Sequence, residues 1–139
     1  MERRDYLITQ IQELGRFLRL LTEKLTGKAL EPSEEVHAEQ QKSEFKEKSG
    51  FEIDLLATPH FEELQSAIMA NNGFNTENTE LLADFMVQYA ETQPNMLISM
   101  QVRIKTNALF LYEWVAITEK TYSLERQSKM EAVRKSLDS

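Results

Sequence analysis

Apolar residues recur along most of this chain at steps of three and four, the spacing of one face of an α-helix. Through residues 5–26 the series Leu7, Ile11, Leu14, Leu18, Leu21 and Leu25 steps four, three, four, three, four, an unbroken heptad seam. Ile8, Phe17 and Leu20 widen that seam beyond a coiled-coil stripe, which favours packing inside a bundle. Asp5 suits the start of this helix and Gly27 its end. A longer pattern runs from Asn95 to Tyr122, where Leu97, Met100, Ile104, Ala108, Leu111, Val115 and Tyr122 share one stripe. The opposite stripe, Ser99, Arg103, Thr106, Phe110, Glu113, Ile117 and Lys120, starts polar, then carries Phe110 and Ile117 with Trp114 beside them. A helix apolar on nearly all sides belongs in the interior. Residues 95–121 therefore read as the central helix, with Phe110, Trp114 and Ile117 expected under cover. The expected cover is the final helix, through Leu124, Met130 and Val133, or else a second copy of the chain.

The remaining segments are shorter. Thr58-Pro59 reads as cap and first position of a helix over 59–72, burying Phe61, Leu64, Ala67 and Ile68 and ending through a left-handed cap at Asn72-Gly73. Thr76 is expected to cap a helix over 77–93 with Leu81, Leu82, Phe85, Met86 and Tyr89 inward. Ala83 and Ala90 leave room for a close neighbour, and Pro94 separates this helix from the central one. Ser123 with Glu125 reads as a further start, with Leu124, Met130, Val133 and Leu137 on one side. FEIDLLA, residues 51–57, alternates too briefly for a strand with a partner and predicts a short turn or helical piece that tucks in Phe51 and Leu55. Residues 31–50 have only Val36, Ala38 and Phe45 as apolar positions, which predicts a polar surface helix or connector from Pro32-Ser33 to Gly50. The pattern as a whole predicts an all-α fold. Residues 1–139 form one domain of five or six helices, packed as stacked antiparallel hairpins.

Composition narrows the function more than the fold. There is no Cys, so no disulfide framework and no thiol nucleophile. The start, MERRDYLITQ, lacks an apolar signal core, and no run approaches the roughly 20 apolar residues of a membrane span. A cytoplasmic protein is the expectation. The net charge is -7, and residues 31–95 hold fourteen Asp/Glu against three Lys/Arg. An acidic middle disfavours nucleic acid, which needs clustered cations along a phosphate track. The basic residues of the first helix, Arg3, Arg4, Arg16, Arg19, Lys24 and Lys28, would also suit a membrane-surface or partner helix.

Catalytic constellations are sparse. Glu34 and His37 have the E-x-x-H spacing of di-iron helices, but it occurs once, and His60 has no Glu three residues before it. No Gly-rich phosphate loop and no G-x-S-x-G turn is present. No metal and no cofactor is expected. Glu113, beside Tyr112 and Trp114 in an apolar stretch, is the one carboxylate whose surroundings could raise its pKa.

Two resemblances bear on the fold. Two helical pairs, 59–93 and 95–138, follow at a spacing near that of tetratricopeptide repeats, and Ala83, Val87 and Ala90 resemble the second helix of that repeat. Its first-helix aromatic and Gly positions are absent, so the likeness extends to stacked hairpins alone. RDYLITQIQELGRFL at 4–18, LYEW at 111–114 and YSLERQSK at 122–129 resemble a bacterial domain-of-unknown-function family of small helical proteins. That resemblance implies a helical, tetratricopeptide-like fold and a bacterial source, and it carries no catalytic residue.

Two functions are compatible with these observations. One is a non-enzymatic protein–protein interaction module, pairing with a partner or with itself as a homodimer through Leu7, Ile11, Leu14, Leu18, Leu21 and Leu25. The other is a small-molecule-binding protein or enzyme with a pocket near Tyr89, Tyr112, Glu113 and Trp114.

Overall fold

The computed structural model of the chain describes residues 2–26 and 34–138, and for Glu2 and residues 34–38 the backbone alone. Six α-helices follow one another: α1 (Glu2–Thr26), α2 (Glu34–Ser49), α3 (Phe61–Met69), α4 (Thr76–Thr92), α5 (Ile98–Glu119) and α6 (Leu124–Leu137). A 3₁₀ turn, Ile53–Ala57, precedes α3, and no strand occurs among the described residues. The protein is an all-α bundle.

The α4–α5 hairpin is its centre. Antiparallel pairing across it is fixed by Asp84 facing Tyr112 and Glu91 facing Lys105. Ala83, Ala90 and Ala108 are fully buried there, so small side chains let the two backbones approach. The chain reverses at Pro94 and at Asn95, whose φ of 66° lies in the left-handed region that Asn tolerates. Ile104, Ala108, Leu111, Tyr112 and Val115 of α5 are buried, whereas Leu97 and Tyr122, the ends of the long stripe, lie outside the packed length and are exposed.

Along the seam of α1, Leu14, Leu18 and Leu21 enter the core, Ile11 and Leu25 are half-buried, and Leu7 is exposed. The first turn of α4 meets α1 between Ile11 and Arg19, through Asn78 and Glu77. Since residues 3–9 of α1 are exposed, α4 runs on beside Leu18 and Leu21 in the same direction as α1. Gly15 sits at the closest point: a Cβ there would lie 2.7 Å from Asn78 Oδ1. Asn78, 2% exposed, donates to the carbonyls of Ile11 (2.8 Å) and Gly73 (2.7 Å), tying α1 to the loop before α4.

Helix α2 has almost no amphipathic pattern, yet Phe45 near its end is fully buried. Its ring lies edge-on to Phe51 at 5.4 Å and against Phe85 at 6.0 Å. Gly50, at φ 91°, turns the chain out of α2 where an L side chain would be strained. Of the 51–57 segment, Phe51, Ile53, Leu56 and Ala57 are buried and Leu55 is half-buried. Asn107 of α5 closes it by donating to the carbonyls of Leu56 (3.0 Å) and Thr58 (2.9 Å).

Several helix ends differ from those expected. The first helix begins at Glu2, so Asp5 lies within it. His60, not Thr58, precedes α3, because the Thr58 hydroxyl is used to accept the His60 N–H. Gly73 takes no left-handed conformation: α3 ends at Met69, and a Cβ at Gly73 would fit tightly, 3.1 Å from Asn71 Oδ1 and 3.2 Å from Leu14 Cδ2. Asn75, not Thr76, caps α4, its side chain accepting the Asn78 N–H. Ser123 caps α6 by accepting the Arg126 N–H, after Lys120 leaves α5 at φ 60°. The Gly27 and Pro32-Ser33 signals, and the side chains of Glu34 and His37, lie outside the described residues.

Helix α6 does not supply the cover expected over Phe110, Trp114 and Ile117. Helix α6 lies along the side of α5 that carries Lys105 and Glu119, which meet Ser136 and Arg126, and Glu113 at its edge faces Arg134. Its charged residues find carboxylates there, which decides the face against a purely apolar fit. Met130 and Val133 are buried on that side, while Leu124 is exposed. The other face of α5 meets α3 instead. Phe110 packs edge-on against Phe61 at 5.3 Å, Trp114 is half-buried, and Ile117 stays 74% exposed.

Candidate functional site

The partial cover of α5 by α3 leaves a hollow of about 510 Å³. Ile68 and Met69 of α3, Phe74 and Asn75 of the next loop, Thr76 and Thr79 of α4, and Trp114, Val115 and Thr118 of α5 form its walls. Helix α3 stops at Met69, and among the described residues Thr118, in the last turn of α5, stays exposed on this side. No wall residue is ionisable. The polar wall groups mainly serve their own backbone. Thr79 donates to the Asn75 carbonyl (2.8 Å), Thr118 to the Trp114 carbonyl (2.8 Å), and Asn75 accepts the Asn78 N–H (2.9 Å). Met69, a wall residue, is 69% exposed and presents a large apolar side chain to water. An apolar concavity with exposed apolar edges suits a binding surface better than an acid–base centre.

The ionisable groups gather on the far side of α5. Arg126 of α6, only 4% exposed, donates from Nε to Glu80 (2.8 Å) and from a terminal nitrogen to Glu119 (2.6 Å). Lys129 reaches Glu80 (3.0 Å) and Asp84 (3.2 Å), and the Tyr112 hydroxyl donates to Asp84 at 2.5 Å. Burial opposes the charge on Glu80, but hydrogen bonds from Arg126 and Lys129 outweigh it and hold the carboxyl below its ordinary range. At Asp84 burial wins and the pKa rises, despite help from Tyr112 and Lys129. Burial, then the neighbouring Asp84 charge, pushes the Tyr112 phenol up as well. Each group is matched by a partner from another helix, so the cluster clamps α6 onto the α4–α5 hairpin. Among the described residues no group of three or more His, Asp or Glu is arranged to hold a metal ion.

The residues expected to share a pocket are dispersed. Tyr89 stacks on Phe85 at 5.4 Å, its phenol raised by burial and by the charge of Asp54. Tyr112 belongs to the ionic cluster, and Glu113 lies 3.6 Å from Arg134 at the surface. Only Trp114 of the four lines the hollow. Three of the six seam residues, Leu14, Leu18 and Leu21, are occupied by the chain's own core, and of the set Leu7 alone is exposed. Met69 and Phe74 line the hollow without any periodic signal that marks them, since their roles depend on where α3 ends. Comparison with protein-family models, with curated proteins and with solved structures returned no match. Among the described residues no helix is long and apolar enough to cross a membrane.

Proposed function

We propose that this chain is a non-enzymatic interaction module that receives an apolar helical segment of a protein in the hollow between α3 and α5. The supporting observation is the makeup of the hollow: wide, largely apolar, edged by the exposed Met69, and walled by no ionisable side chain. Helix-in-groove recognition uses such a surface, with apolar anchors at helical spacing entering from the partner. A volume of about 510 Å³ also falls in the range of small-molecule sites, roughly 300–1,000 Å³, so a small apolar ligand is the second reading. Such sites orient their ligands with a few convergent polar groups, and here the threonines and Asn75 are turned to their own backbone. The cytoplasm is the proposed setting, in keeping with a chain without Cys.

Affinity purification of the full chain from its native cells tests this. A protein at stoichiometric ratio, a different chain or a second copy, is expected with the wild type and lost with Met69→Glu, which places a charge at the rim of the hollow. Undiminished co-purification with Met69→Glu, or recovery of a small molecule with no protein, overturns the reading.

A further inference from the structure

A second exposed apolar surface lies on the first turns of α1, whose root at Gln10 contacts the loop that follows α3. Gln10 is the first residue of α1 to touch the body, its amide donating to Asn71 Oδ1 at 3.2 Å. Residues 3–9, before it, are all exposed. They form an arm whose helix outruns its cover: Leu7 and Ile8 continue toward Ile11 the seam that α4 buries at Leu14, Leu18 and Leu21. Arg3 stands one turn before Leu7, and Arg4 one turn before Ile8, so both cations share the apolar face of the arm.

The helices that border the hollow carry the complementary charge. Helices α3 and α4 contain no Lys or Arg, and Glu62 and Glu63 are exposed on α3. Glu62 and Met69 are seven residues apart, two turns along one face, so acid and apolar rim lie along the same edge. The lengths correspond too. Seven helical residues of the arm span about 10 Å and the nine of α3 about 13 Å.

We infer that the occupant of the hollow is the arm of a second copy, residues 3–9, with Leu7 and Ile8 entering beside Met69 and Trp114 while Arg3 and Arg4 meet Glu62 and Glu63. The inference rests on the docking reading above and names its partner. Each copy has one arm and one hollow, so two copies exchanging arms close the assembly with two equal contacts.

Sedimentation equilibrium of the purified full chain tests it. The wild type is expected to form a dimer that weakens at raised salt, because exposed ion pairs are screened. Leu7→Asp and Met69→Glu are each expected to weaken the dimer at least about tenfold. Both sites are exposed, and circular dichroism verifies that each variant is folded; Thr118→Glu serves if Met69→Glu is not. Mixing the Leu7→Asp and Met69→Glu chains is expected to give tighter association than either alone, since together they supply one intact arm and one intact hollow. Arg3→Glu with Arg4→Glu is expected to dissociate the dimer, and adding Glu62→Lys with Glu63→Lys to restore it. A wild type that stays monomeric at every concentration, a dimer indifferent to Leu7→Asp, or no gain on mixing overturns the arm exchange. The docking reading survives a monomeric result if the co-purified protein is a different chain lost with Met69→Glu, and falls if that co-purification fails.

Discussion

The contact between Gly15 and Asn78 makes a prediction whose sign reverses with background. In the wild type, Gly15→Ala would place a Cβ 2.7 Å from Asn78 Oδ1, closer than real Cβ contacts come. Asn78 cannot withdraw cheaply, because its amide is held by Ile11 and Gly73 carbonyls at 2.8 and 2.7 Å. Overpacking costs about 1–3 kcal/mol, and the better helix propensity of Ala returns about 1 kcal/mol. The net expectation is a loss of up to about 2 kcal/mol. Asn78→Ala alone forfeits two hydrogen bonds at about 1 kcal/mol each. The full penalty for orphaned carbonyls does not apply, since Gly73 O still accepts the Asn75 N–H at 3.2 Å and Ile11 O keeps its helical donor. In that background the obstacle to Gly15→Ala is gone, and the substitution is expected to stabilise by about 0.5–1 kcal/mol. Urea unfolding of the four proteins measures the coupling, expected at about 1–3 kcal/mol. An effect of Gly15→Ala that agrees in both backgrounds to within about 0.5 kcal/mol would refute the reasoning.

Phe45→Ala is expected to cost about 3–5 kcal/mol, because Phe45 is fully buried and its aromatic neighbours Phe51 and Phe85 sit on other elements. Hydrogen exchange should then show α2 losing protection while Ile104–Val115 of α5 retains it; uniform loss would contradict a local anchor. Trp114→Ala, at a half-buried site, is expected to cost only about 1–2 kcal/mol; a larger loss by urea unfolding would mean that the hollow is closed. Acid titration of stability separates Glu80 from Asp84. The lowered pKa of Glu80 contributes stability present above its ordinary 4.5 and lost as pH falls through the folded value, so Glu80→Gln is expected to flatten the acid limb. The raised pKa of Asp84 acts the other way, with the folded chain holding its proton more tightly, so Asp84→Asn is expected to steepen that limb. Equal slopes for the two variants would contradict the assignment.

Periodicity carried most of the fold. Leu14, Leu18 and Leu21, Leu82, Phe85 and Met86, and Ile104, Ala108 and Leu111 all recur at helical spacing and are all buried. What periodicity does not carry is where polar residues are consumed. Asn78, Asn107 and Arg126 are buried because carbonyls or carboxylates of distant segments need them, and no local spacing marks that need. The same limit misplaced α6. Its charged residues Arg126, Lys129 and Arg134 find their acidic partners on α4 and along the side of α5 that carries Glu119, with Glu113 at its edge, a match that apolar spacing does not mark. The hollow was illegible for that reason. Trp114 was recognised as needing cover, but the early end of α3 at Met69, which leaves the cover incomplete, depends on the Asn71–Gly73–Leu14 contacts.

Placing a photo-crosslinking side chain at Thr118, exposed within the wall of the hollow, tests the docking claim most directly. Irradiated in the native cell, the chain is expected to yield one discrete adduct with a protein, abolished by Met69→Glu in the same molecule. An uncrosslinked chain, or an adduct heavier only by a small molecule, would contradict a protein-docking role for the hollow between α3 and α5.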